Sequence, residues 1–105
     1  LQDFVACCGT ERERFQRELD RLRGWQVSAV IIEASWADMQ LGQWRSKLTP
    51  KQVQASFCAW IAQGHRMILG KSHTEASKIA AAVMLYTARY RHRECKHFLE
   101  TIART

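Results

Sequence analysis

Apolar positions recur along this chain with two different periods, and each change of period marks a boundary. Phe15, Leu19 and Leu22 stand at i, i+4 and i+7, the spacing of one buried stripe on a helix. Thr10-Glu11-Arg12-Glu13 precedes the stripe as a capping box, so a helix is predicted to start there and to end at Gly24. Leu1 to Cys8 reads as a shorter helical piece, with Phe4, Val5 and Cys8 inward and Gly9 as its breaker. The pattern then switches. Val27-Ser28-Ala29-Val30-Ile31-Ile32 is short, β-branched and almost continuously apolar, as expected of a strand covered on both faces in a parallel sheet.

Trp36 to Leu48 has no clean period and reads as a long polar loop. Thr49-Pro50-Lys51-Gln52 combines an N-cap, a proline at the first helical position and a capping-box glutamine. The helix it opens places Val53, Phe57, Trp60 and Ile61 on one side and closes at Gly64. Met67-Ile68-Leu69 forms a second brief strand before Gly70, and Ser72-His73-Thr74-Glu75 caps a last helix. That helix carries Ile79, Val83, Tyr86 or Thr87, and Tyr90 on one face, with a continuation to Phe98, Leu99 and Ile102. The order is helix, strand, helix, strand, helix, an α/β class. Two parallel strands joined by a helical crossover form a right-handed unit in about 98% of cases. Two strands make a meagre sheet, so further strands are expected before Leu1 or from a second copy of the chain.

Composition narrows the reading. A chain of 105 residues, 47% of them hydrophobic, builds one modest core and one domain, and one Pro with five Gly leaves no linker. The longest uncharged apolar stretch, Ile79 to Tyr86, falls well short of the roughly 18 residues a membrane span requires, so no membrane association is expected. Cys7 and Cys8 are adjacent, while Cys58 and Cys95 lie in helical patterns. No C-x-x-C pair occurs, and buried thiols in a reduced, cytoplasmic compartment are expected. The formal charge of +6 suits a polyanionic partner.

Several residues, taken in order, resemble a known family. Asp3 opens the first helical piece, Arg14-Phe15-Gln16-Arg17-Glu18-Leu19 follows on the next, and Val30-Ile31-Ile32-Glu33-Ala34-Ser35 is a hydrophobic strand ending in a carboxylate. This succession resembles the XPF-family nuclease domain, in which a strand bearing Glu-Arg-Lys is followed by an Asp, then by an Arg-Phe-x-x-Glu/Gln segment, then by a strand ending in Glu. Gly42-Gln43-Trp44-Arg45-Ser46 is similar to a Gly-x-aromatic-Arg-Ser stretch of bacterial and phage members. The resemblance runs through most of the chain and implies a single, partial nuclease-like domain over 1–105 with a restriction-endonuclease-like core. Its N-terminal strands and the Glu-Arg-Lys half of the metal motif are then expected upstream of Leu1.

The implied activity is metal-dependent endonucleolytic hydrolysis of DNA phosphodiesters, in branched or flap DNA during repair or recombination, with Mg²⁺ or Mn²⁺ as cofactor. Carboxylates hold such hard cations because they offer oxygen ligands, and from this chain the resemblance places Asp3 at the metal. Arg14 is the second implied catalytic residue, gripping a phosphate through a forked pair of hydrogen bonds. Its sequence context equally fits ion pairs with Glu11 or Glu18 on the same helix. Glu33, read alone, is a solvated carboxylate or a cap partner. The other function class compatible with the chain is a non-catalytic domain that binds DNA or a partner subunit, and a homodimer or paired subunit is expected from the apolar surface of the last helix. A bacterial protein of this kind would be nucleoid-associated.

Arg45, Lys47, Lys51 and Lys71, with Arg66, form the expected DNA-facing track. Trp36 and Trp44 either stack on a splayed base or pack on the helix below. Gly70-Lys71-Ser72 lies between a strand and a helix as a phosphate-binding loop does. The glycine such a loop requires falls on His65, with Gly64 one residue too early, so nucleoside triphosphate binding is not expected. His92 and Cys95 share a helix face from which His97 points away, and the basic end Arg89 to Arg93 reads as a solvated face.

Overall fold

Capping chemistry sets most of the element boundaries in the computed structural model, which describes residues 1–25 and 27–104. The elements are α1 (Gln2–Cys8), α2 (Arg12–Leu22), β1 (Val30–Ile32), α3 (Trp36–Leu41), α4 (Pro50–Ala62), β2 (Met67–Leu69) and α5 (His73–Arg104). At α4 the expected box is complete: Thr49 Oγ1 accepts from the Gln52 N–H, Gln52 Oε1 accepts from the Thr49 N–H, and Pro50 takes the first turn. At α5 the box is shifted by one residue. Ser72 Oγ accepts from the Glu75 N–H at 3.1 Å, while the Glu75 carboxylate reaches back to the N–H of Lys71 at 2.6 Å.

Two helices differ from the sequence reading. Helix α2 starts at Arg12 behind Glu11, with no side-chain cap, because the backbone turns tightly after α1: the Glu11 N–H is already bonded to the Ala6 carbonyl and the Arg12 N–H to Gly9. The stretch expected to be a loop contains α3. Its box uses Ser35 and Asp38, each side chain bonded to the other's backbone N–H, and Gly42 ends it at φ 66° in the left-handed region. Met39, fully buried, anchors this helix. Asp in the third helical position did the work usually given to Glu or Gln, which is why the pattern passed unnoticed.

The expected α/β, restriction-endonuclease-like core is not what the chain forms. Helix accounts for 67% of the residues and strand for 6%, and the sheet has two parallel strands, β1 and β2, in the register Val30↔Met67, Ile31↔Ile68 and Ile32↔Leu69. The apolar run at Val27 overstated the strand. Val27 is exposed, Ser28 turns back to donate its hydroxyl to the Leu22 carbonyl, and pairing starts only at Val30. Of β1 only Ile32 is buried, so this is not a strand covered on both faces.

The core lies among the helices. Trp60 on α4 is its centre, with Phe4 and Phe15 meeting its ring edge-to-face at centroid distances of 6.0 and 5.1 Å. Its indole N–H donates to Gln16 Oε1 at 2.9 Å, and the Arg12 guanidinium lies over the ring at 4.9 Å. Val5, Leu19, Met39 and Val53 complete the fully buried set. The predicted stripe of α4 is correct at Val53, Phe57 and Trp60, whereas Ile61 is exposed.

Helix α5 meets this body through its first half. A Cβ on Gly70 would come within 2.9 Å of the Ala76 backbone, so β2 ends in a glycine because α5 crosses directly above it. Ile79, Ala80, Val83 and Thr87 are half-buried; after them the helix projects outward, and the molecule is 62 Å long by 28 by 18 Å. Thr87, rather than Tyr86, continues the inward face. No helix among the described residues is long and apolar enough to cross a membrane. Trp60→Ala is expected to lower stability by roughly 3–5 kcal/mol in chemical denaturation, whereas Trp25→Ala, at a side chain 71% exposed, should change it by less than about 0.5 kcal/mol.

Candidate functional site

Polar chemistry gathers at the carboxyl ends of the two strands, the usual place for ligands in parallel sheets. Glu33 follows β1 directly, and its Oε1 lies 2.9 Å from Nδ1 of His73, the first residue of α5. Both side chains are open to solvent. Lys71 leaves the end of β2 beside them, its backbone N–H held by Glu75. The carboxyl of Asp38 is held below its ordinary value chiefly by the hydrogen bonds from Ser35, with the Lys71 ammonium adding to the effect.

A cavity of about 300 Å³ runs along β1 on the side away from β2. Asp3 and Glu33 line it, together with Phe4, Phe15, Cys7 and the strand itself. Asp3 reaches it because Phe4, Val5 and Cys8 bury the inner side of α1, which leaves the first turn facing the strand. Two carboxylates that are far apart in sequence thus share one concavity with an unpaired strand edge as its wall. Sequence reasoning proposed Asp3 and left Glu33 as an ordinary solvated carboxylate; the position of Glu33 at a strand end was the available signal.

Arg14 does not line this cavity. Its Nε sits 3.4 Å from Glu11 and 3.9 Å from Glu18, the ion pairs that compete with a phosphate for it. It remains close by, since its charge and that of Asp3 are both felt at the Cys7 thiol. Burial, more than any charge, pushes Cys7 up, and burial pushes the neighbouring Cys8 up to about 11. These thiols stay protonated near neutral pH and make poor nucleophiles.

The expected DNA track is divided by the fold. The Arg45 N–H donates to Gln2 Oε1 at 3.2 Å, so the loop bearing Arg45 and Lys47 is tied to the first turn of α1, beside Asp3. Lys51 is exposed in the first turn of α4, and Lys71 stands at the Glu33–His73 end of the sheet. Arg66 belongs elsewhere, at the start of β2, in a second cavity of about 170 Å³ with Arg23 and His65. Trp44 packs, donating its indole N–H to the Leu48 carbonyl at 2.8 Å, and Trp36 lies against Phe57 with centroids 6.3 Å apart.

The described residues contain no group of three or more His, Cys, Asp or Glu arranged to hold a metal ion. Asp3 and Glu33, which line the cavity beside β1, are the residues there that could hold Mg²⁺, an ion commonly bound through one or two carboxylates with water and phosphate oxygens as its other ligands. Comparison of the chain with family models, with curated proteins and with solved structures finds no match.

The second cavity generates a pH dependence. His65 is buried, and burial first, then the Arg23 guanidinium, lowers its pKa, with Asp20 opposing. Arg23 Nη2 stands 3.4 Å from His65 Nε2 and also donates to the Gln63 carbonyl, an arrangement suited to a neutral ring that accepts there. Below the ordinary value near 6.5 the unfolded chain binds the proton more readily than the folded one, so stability falls as pH drops through that window. Urea unfolding between about pH 7.5 and 5.5 should show a declining midpoint, and His65→Gln should flatten the decline. The stability that Asp38 contributes is present above its ordinary 3.8 and is lost only as pH falls below it, so the two pH windows do not overlap.

Proposed function

We propose that this chain takes part in metal-dependent hydrolysis of phosphodiesters in DNA, acting at the cavity beside β1. The observation that carries the reading is the meeting of Asp3 and Glu33 on that one cavity. The order of Asp3, Arg14 to Leu19 and Val30 to Glu33, which resembles the XPF-family nuclease segment, supports it, as does the formal charge of +6.

The division of labour follows from the surroundings of each side chain. Asp3 and Glu33 present carboxylate oxygens to a cation and to a water molecule. Magnesium bound there supplies charge neutralisation at a phosphate oxygen and eases proton loss from water. Arg45 and Lys47, held against α1 through Gln2, approach a DNA backbone from the Asp3 side, and Lys71 approaches it from the Glu33 side. The His73 ring orients Glu33 through the 2.9 Å contact. Arg14 reaches a phosphate by exchanging its exposed pairs with Glu11 and Glu18, a small loss because such surface pairs contribute about 0–1 kcal/mol.

The absence of a three-residue metal group among the described residues favours a second reading, DNA binding without cleavage. One assay separates the two. Flap and linear duplexes are incubated with the protein in Mg²⁺ and in EDTA, alongside Asp3→Ala and Glu33→Gln variants. Cleavage that needs Mg²⁺ and falls about 100-fold or more in either variant is the expected result. Retained DNA affinity with no cleavage under any condition would leave the binding reading, and cleavage unchanged in both variants would remove these carboxylates from the site.

A further inference from the structure

Between Ala88 and Leu99, α5 is exposed at every position except the half-buried Arg91, yet its sequence is not that of a solvated helix. Leu85, Ala88, His92, Cys95 and Leu99 follow one another at intervals of three, four, three and four residues, the spacing of a coiled-coil seam. All five are exposed, and Met84 and Phe98 beside the seam are 73% and 63% exposed. The charged positions flanking the seam are all basic: Arg89 and Lys96 on one side, and on the other Arg91, between the apolar Met84 and Phe98. Acidic side chains of this half, Glu94 and Glu100, lie outside both flanks.

The flanks decide what fits. In a parallel pair of two such helices, Arg91 of one copy would meet Lys96 of the other across the seam. In an antiparallel pair, Arg89 would meet Lys96. Either arrangement sets cation against cation, so a second copy is the wrong partner. Nucleic acid complements the charge, but it leaves Leu85, Phe98 and Leu99 facing water. A helix that offers both an apolar seam and acidic flanks satisfies the whole surface.

We propose that the projecting half of α5 is a docking surface for an amphipathic partner helix with a Leu- or Ile-rich seam and Asp or Glu at its flanking positions. His92, polar within the seam, fixes the register of that pairing in the way buried polar seam residues do. The surface is independent of the carboxylate cavity beside β1, so it stands whether or not the chain cuts DNA.

The test uses two synthetic amphipathic peptides with the same Leu seam, one flanked by Glu and one by Lys. Binding to the chain is followed by fluorescence anisotropy under reducing conditions, which keep Cys95 from cross-linking. The Glu-flanked peptide should bind, with the Lys-flanked one weaker by roughly tenfold or more. Arg89→Glu with Lys96→Glu should reverse that preference. Leu99→Asp should abolish binding while the circular dichroism spectrum stays unchanged, because Leu99 lies outside the core. Equal binding of both peptides, binding of neither, displacement of the Glu-flanked peptide by duplex DNA at the seam, or self-association through this helix in sedimentation would each overturn the proposal.

Discussion

The environment of the Trp60 indole is the constraint on which the rest of the structure depends. Its ring joins α4 to α1 through Phe4 and to α2 through Phe15, and its N–H is satisfied by Gln16 of α2. Arg12 covers the opposite need, lying over the ring while bonding Ser56 Oγ at 2.8 Å and the Cys8 carbonyl at 3.2 Å. A large apolar side chain with one polar atom thus fixes three helices at once, with one partner on α1 and three on α2. That is a high degree of specification for a small core, where a single well-packed aromatic is a large share of the buried area.

Given that helical body, the sheet is an addition rather than a scaffold. Each strand contributes three residues, and the pair is braced at its ends by the Val30 N–H to Arg66 carbonyl bond and the Gly70 N–H to Ile32 carbonyl bond. A pair this short is marginal by itself. It persists because Ile32 and Met67 belong to the helical core and because α5 seats Ala76 against Gly70. The chemistry at the carboxyl ends of the strands is consequently positioned by helix packing: α1 brings Asp3 to one side of β1, and the start of α5 brings His73 to Glu33.

Individual residues show why the site was only partly legible in the sequence. Asp3 stands out only through its place in the order of residues that carries the family resemblance, and the structure puts it on a cavity. The one signal at Glu33 is its position at a strand end, a common place for a solvated carboxylate; its partnership with His73 spans a long stretch of chain and depends on the parallel register. Arg66 and Lys71 looked like one basic track because they are close in sequence, yet β2 runs between them and sends them to opposite ends of the sheet. Helix α3 is hard to read for a different reason: its apolar residues Trp36, Ala37, Met39 and Leu41 crowd six positions without a helical repeat, and Met39 secures it by burial.

The sequence by itself determined the local events. Capping residues and helical spacing set α1, most of α2, α4 and α5, and an apolar run of three residues, β-branched throughout in β1, set each strand, because these depend on neighbours within a few positions. Tertiary structure decided how much of the Val27 run would pair, which face of α5 would be covered, and which distant polar groups would meet. It also overturned the fold class, since a sheet requires partner strands that local propensity cannot supply, whereas a helix satisfies its backbone within its own segment.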